Sequence, residues 1–167
     1  MKIIYNQKLI TFSQYAIFVL SLLAILLASY YLYYGDFFLH LVGKGDWFNP
    51  ELGIPACNLC WYARVLMFPI FPIAAVGIFK NDNKFTDYII PLTILGLILD
   101  IYHYSLQRSW IAKSLLCDPN GISCADAPVN YFGFITMPFI CGVLFLIIFI
   151  LALYNSLAVR SKKNNNR

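Results

Sequence analysis

The sequence predicts an all-α fold, a four-helix transmembrane bundle, on three observations. Of 167 residues, 60% are hydrophobic and 12% charged, and the charged share is about half that of an ordinary soluble domain. Four apolar runs each approach the roughly 20 residues a helix needs to cross a hydrocarbon core. Basic residues gather beside these runs, as membrane topology requires, so the net charge of +4 is not the footprint of a nucleic-acid partner. The length fits a single integral membrane domain over residues 1–167.

No charge interrupts the chain from Leu9 to Gly35, and the first span is predicted at 15–34. Lys2 and Lys8 precede it as they would a signal peptide, but the run far exceeds a signal core of roughly 7–15 residues. It continues into Tyr30, Tyr31, Tyr33 and Tyr34, which suit an interfacial belt, so an uncleaved helix is expected. Residues 35–56 read as a loop, with Asp36, Asp46 and Glu51 among glycines and prolines. Phe37, Phe38, Trp47 and Phe48 hold that loop to the membrane surface. The second span is predicted at 60–79, with Arg64 near its start and Pro69 and Pro72 inside. Residues 80–87 form a short charged turn, which makes the second and third spans antiparallel neighbours.

The third span, 88–106, contains Asp100 and His103. A second loop follows, in which Asp118-Pro119 and Asn120-Gly121 are turn formers that bring Cys117 and Cys124 together. The fourth span is predicted at 134–154, and the basic, asparagine-rich tail over 160–167 is predicted to be disordered. The N-terminal tail, the 80–87 turn and the C-terminal tail hold eight basic residues against two acids, while the two long loops hold three against five. The positive-inside rule then predicts cytoplasmic termini and two extracytoplasmic cysteine-bearing loops, where disulfides persist.

Chemistry concentrates in Cys57-Asn58-Leu59-Cys60-Trp61-Tyr62-Ala63-Arg64, a Cys-x-x-Cys pair with an arginine one helical turn further on. Two cysteine pairs on one side of a membrane have three possible jobs: a staple, a four-cysteine metal site, or an electron relay. A disulfide closed over two residues restrains almost no chain entropy, so the first pair gains little as a staple. Neither of the two histidines is near a cysteine in sequence, and no metal is expected. A helix N-terminus and Arg64 both stabilise a thiolate, the species that exchanges with disulfides. With no haem, dinucleotide or iron–sulfur motif to take the electrons, a membrane quinone fits, its carbonyl oxygen within the chemistry of Arg64.

The segment from Pro55 to Arg64, the later Tyr102-His103-Tyr104 and the second cysteine pair together resemble the DsbB/BdbC family of membrane disulfide-bond formation proteins, closest to the BdbC branch. The resemblance covers nearly the whole chain. It implies a quinone-dependent protein thiol-disulfide oxidoreductase of the bacterial inner or cell membrane, using ubiquinone or menaquinone. Its partner would be an extracytoplasmic thioredoxin-fold thiol oxidase of the DsbA/BdbD kind. Cys57, Cys60, Cys117 and Cys124 would be catalytic, with electrons entering at Cys117 and Cys124 and leaving from Cys57 and Cys60. Cys60, Arg64 and His103 would face the quinone.

Other readings stand beside these. The chain can be a non-catalytic membrane anchor or assembly protein with structural loop disulfides, or a thiol reductase running the relay in reverse. Cys141 reads as a small packing residue, Arg64 can snorkel to the surface, and His103 can serve packing alone. Asp100, three residues before His103, is expected to face the bundle interior and either pair with Arg64 or help supply protons. Its alternative is a packing role, hydrogen-bonded to a tyrosine or to backbone.

Overall fold

The computed structural model describes residues 7–34, 57–110, 123–125 and 130–165. In chain order these form α1 (Gln7–Tyr34), α2 (Asn58–Met67), α3 (Ile70–Phe79), α4 (Phe85–Gln107), the short strands β1 (Asn130–Tyr131) and β2 (Ile135–Thr136), and α5 (Met137–Asn165). Four helical units are long and apolar enough to cross a membrane, the second made of α2 and α3 in succession. The predicted all-α, four-span architecture is the observed one.

Proline decides how the second unit is built. Pro69 has no N–H to give the carbonyl four residues back, so the ladder breaks there, although Phe68 still donates to the Arg64 carbonyl at 2.8 Å and both residues keep right-handed backbone angles. Pro72 then falls in the first turn of α3, where an N–H would have had no intrahelical partner. The prolines therefore cost the span one break, and α2 is a ten-residue unit of its own.

The interior is built on close helix approach. α4 and α5 make the most extensive helix pair. The Phe145 ring of α5 lies on Gly96 of α4, where a Cβ would come within 2.5 Å of it. Ala24, Ala74 and Ala152 share that core with Ile17, Ile70 and Ile148, in keeping with membrane packing by small residues rather than by hydrophobic exclusion. The outer surface carries Phe12, Val19, Leu26, Ile98, Ile101 and Ile150, all exposed, an apolar girdle suited to lipid.

Side-chain bonds tie the bundle at one end. The buried Asn155 donates to Ser13 Oγ at 2.7 Å and to the Ile10 carbonyl at 3.4 Å, joining α5 to α1. Ser156 donates to Asp87, and Arg160 lies 3.5 Å from the same carboxylate. These contacts explain why α5 runs past the predicted boundary at Tyr154 and stays helical to Asn165, through most of the tail predicted to be disordered. α1 likewise starts at Gln7 rather than at 15, and Thr11 and Ser13 satisfy their hydroxyls on carbonyls one turn back.

At the opposite end, β1 and β2 pair antiparallel, Asn130 with Thr136 and Tyr131 with Ile135. The turn between them needs positive φ, 52° at Phe132 and 78° at Gly133, and only the glycine adopts it freely. This hairpin occupies residues assigned from sequence to the fourth span, so the helix starts at Met137 instead of Phe134. Tyr104 of α4 donates to the Phe134 carbonyl at 3.2 Å and accepts from Arg108 Nε at 3.1 Å, fastening the hairpin to the end of α4.

Candidate active site

The chain enters α2 at Cys57, whose extended backbone (φ −69°, ψ 168°) makes it the N-cap. From there the helix carries Cys60 back over Cys57, and the two sulfurs lie 3.4 Å apart as free thiols sharing a hydrogen bond. α2 packs on α4, which places His103 Nε2 3.6 Å from Cys57 Sγ. His103 is buried, and Asp100, His103 and Leu106 form one buried row along α4. The hydrogen bond with Cys60, and after it that with His103, brings the Cys57 thiol from its usual 9.0 down to about 4 against the opposing effect of burial. The direction of the shift favours the thiolate at Cys57. The N-terminal end of α2 adds a favourable partial charge.

Arg64 sits one turn beyond Cys60 with its guanidinium over the Trp61 ring, 4.9 Å from the centroid. Its Nη2 donates to the Ala28 carbonyl of α1 at 3.3 Å. Its Nη1 is buried and has no hydrogen-bond partner among the described residues. An aromatic face and a backbone carbonyl of α1 hold this half-buried arginine against the bundle. One oriented donor remains open.

Of the second cysteine pair, Cys117 lies outside the described residues. Cys124 is disulfide-bonded and buried in one cluster with Cys57, Leu59 and Leu106, against which Cys60, Leu99 and Tyr102 pack. A reduced Cys57–Cys60 couple thus stands beside an oxidised Cys124. The first long loop, with His40, Trp47 and Pro55, also lies outside the described residues.

The fold corrects one step of the sequence argument. Histidine is distant from cysteine along the chain, yet the donor atoms of Cys57, Cys60 and His103 all lie within 4.8 Å of one another. By geometry that trio can hold a metal ion as well as move a proton. Sequence reasoning on Asp100 was right in direction: it is only 2% exposed and faces the interior. It forms no ion pair with Arg64, however, and among the described residues neither of its oxygens has a hydrogen-bond partner. No tyrosine or backbone group among the described residues supplies the alternative hydrogen bond. Nothing in the sequence signalled the tie from Tyr104 to the hairpin.

A family profile described as "Disulfide bond formation protein DsbB" matches residues 11–155. The chain is similar to "Probable disulfide formation protein C 2" of Bacillus cereus, 36% identical over 62% of this chain and 74% of the relative. It is also similar to "SPbeta prophage-derived disulfide bond formation protein B" of Bacillus subtilis, 40% identical over 64% of this chain and 70% of the relative. "Disulfide bond formation protein C" of the same species is 35% identical over 56% and 68%. No solved structure matches the chain.

Proposed function

The chain belongs to the DsbB family of disulfide bond formation proteins, and from that premise we propose that it re-oxidises an extracytoplasmic thioredoxin-like thiol oxidase and passes the electrons to a membrane quinone. Family and fold make it a multi-pass membrane protein of thiol-disulfide chemistry. The observation that carries the finer reading is the reduced Cys57–Cys60 couple packed in one buried cluster with the disulfide-bonded Cys124. Cys124 buried in one cluster with Cys57 supports exchange between the two pairs, which a relay requires and two separate staples do not.

In this reading the cysteine end faces the extracytoplasmic side, and the end holding the first turn of α1 and the last turns of α5 faces the cytoplasm. Its support is the excess of basic residues flanking the latter end. The partner's dithiol reduces the Cys117–Cys124 disulfide: one partner thiol forms the mixed disulfide with Cys117, Cys124 leaves as the thiolate, and the partner's second thiol resolves the bond. The resulting dithiol then reduces a Cys57–Cys60 disulfide by exchange. Each exchange breaks one S–S bond and forms another, and two electrons and two protons move inward per turn. Cys57 leaves and attacks as a thiolate, held so by Cys60 and His103.

A quinone, when bound, supplies the final acceptor for two electrons and two protons. The unpartnered Nη1 of Arg64 fits it, since a buried guanidinium donor with no acceptor suits a carbonyl oxygen. Cys60 and His103 complete the set expected around that site. Ubiquinone and menaquinone both offer the required oxygen.

The test is a Cys60→Ala protein given reduced partner and quinone. It is expected to oxidise one equivalent of partner, leaving Cys117 and Cys124 reduced, and then stop, whereas the unchanged chain turns over. Repeated turnover by the variant would overturn the assignment of the pairs. A Cys57–Cys60 couple whose alkylation is indifferent to the presence of quinone would favour the structural-disulfide reading.

A further inference from the structure

Asp100 is a costly residue for its surroundings. It lies one turn inward of His103 on the buried row of α4, is 2% exposed, and has no hydrogen-bond partner on either oxygen among the described residues. Its side chain rests on α5 at Gly142, where a Cβ would stand 3.5 Å from the Asp100 Cβ and 4.0 Å from Oδ2. The groups that face this region are Cys141 of α5, and Arg64 and Cys60 of α2. Cys141 is within electrostatic range of all three of Asp100, Arg64 and Cys60. On its own helix the titratable neighbours are Tyr102, packed against the cysteine cluster, and His103 on the same buried row. A bare carboxylate with no cation in contact would be severely destabilised here, while the neutral acid is tolerated. Packing gives no reason for an acid, since an apolar side chain would fill the same space without leaving two oxygens unsatisfied.

We propose that Asp100 is the proton-transfer residue between the Cys57–Cys60 couple and the electron acceptor, a role that rests on the relay proposed above. The proton count calls for such a group. Closing the Cys57–Cys60 disulfide releases two electrons and the couple's two protons, and His103 beside Cys57 Sγ is placed to relay one of them. The acceptor takes two electrons and two protons. Asp100 gives its proton to the acceptor and regains one from His103, so the carboxyl ends each turn as it began. The second proton comes from Cys60. Arg64, with its open donor, lies in the same interior region and marks the side to which the proton goes.

Two readouts test this on the full-length protein in detergent. The first uses quinone-free protein and the infrared difference spectrum between its dithiothreitol-reduced and oxidised forms. A carboxylic-acid C=O band that responds to redox state is expected, and it should be absent from Asp100→Asn. The second is oxidation of the reduced protein by a short-chain ubiquinone analogue. Asp100→Asn should slow it by roughly 10²-fold, the usual contribution of a positioned acid. The variant should recover as pH falls and protons come from bulk water, Asp100→Glu should restore the rate, and exchange with a soluble dithiol should be unaffected. Asp100→Leu is expected to be as thermally stable as the unchanged chain while losing the same step, which a packing role would not produce. No redox-sensitive acid band assignable to Asp100, or an Asp100→Asn protein with unchanged rate and pH profile, would overturn the proposal. Unchanged protein that oxidises with no quinone would overturn the relay itself, which separates the two failures.

Discussion

His103 Nε2 lies 3.6 Å from Cys57 Sγ, although 46 residues separate them in the chain. The contact exists because α2 and α4 run side by side, and it gives the active-site thiolate a partner that no local motif provides.

Cys57 is therefore expected to be alkylated by iodoacetamide as a thiolate across the neutral range. The sign follows from the shift: a thiol lowered from 9.0 to about 4 is ionised above that value, so reactivity should hold through neutral pH and fall only as pH approaches 4. His103→Ala removes one of the groups that hold the pKa down and should move the midpoint upward. Stopped-flow alkylation of the reduced protein against pH checks both. A midpoint near that of a free thiol in the unchanged chain would contradict the geometry.

Arg64→Ala should impair electron transfer to quinone by about 10²-fold, the usual loss when one oriented donor to a developing oxyanion is removed. Exchange with the partner should be little changed. Arg64→Lys should keep part of the activity through its charge but lose the forked geometry that lets one nitrogen hold Ala28 while the other stays open. Separate measurement of quinone reduction and partner oxidation distinguishes these. Equal kinetics in all three proteins would remove Arg64 from the site.

Zinc should inhibit the reduced protein and spare the oxidised one. Zinc–sulfur bonds of about 2.3 Å set tetrahedral sulfurs about 3.8 Å apart, close to the 3.4 Å found between Cys57 and Cys60, with His103 as a third donor 3.6 Å from Cys57. Cobalt as a spectroscopic probe should give thiolate charge-transfer bands with reduced protein, weakened in His103→Ala and absent after oxidation. A chelator alone should leave turnover unchanged. Turnover that collapses on chelation would mean that the trio holds a resident metal.

Gly96→Ala should destabilise the bundle by roughly 1–3 kcal/mol, the usual cost of overpacking, because the added methyl would stand 2.5 Å from the Phe145 ring. Thermal unfolding in detergent measures it. Combining it with Phe145→Leu should recover part of the loss, as the smaller side chain leaves room.

What the sequence made legible was whatever is periodic or local. Apolar runs gave four spans, because a bilayer sets a length that composition alone can meet, and the spacing of Cys57, Cys60 and Arg64 showed one helix face carrying two thiols and a cation. The ends were less legible. Asn155 and Ser156 look like the polar edge of a membrane, but they turn inward to Ser13 and Asp87 and carry the helix onward. Strands of two residues leave no pattern to read, so the hairpin before α5 was missed. His103 was assigned to the quinone with no way to see its contact with Cys57, which depends on the rotation of α4 against α2. Asp100 was visible as an anomaly, and only the fold showed that nothing answers it.

The pairing of free thiols at Cys57 and Cys60 with a disulfide at Cys124 has a stoichiometric consequence. Under the proposed relay the chain is a two-place store, and this arrangement is the store half full, its outer place vacant. A fully oxidised, quinone-free sample should therefore consume partner dithiol in two successive equivalents, the first settling on the inner couple and the second left on the loop. Discharge of one customer need not wait for the acceptor to arrive, so scarcity of quinone would first be felt only at the third.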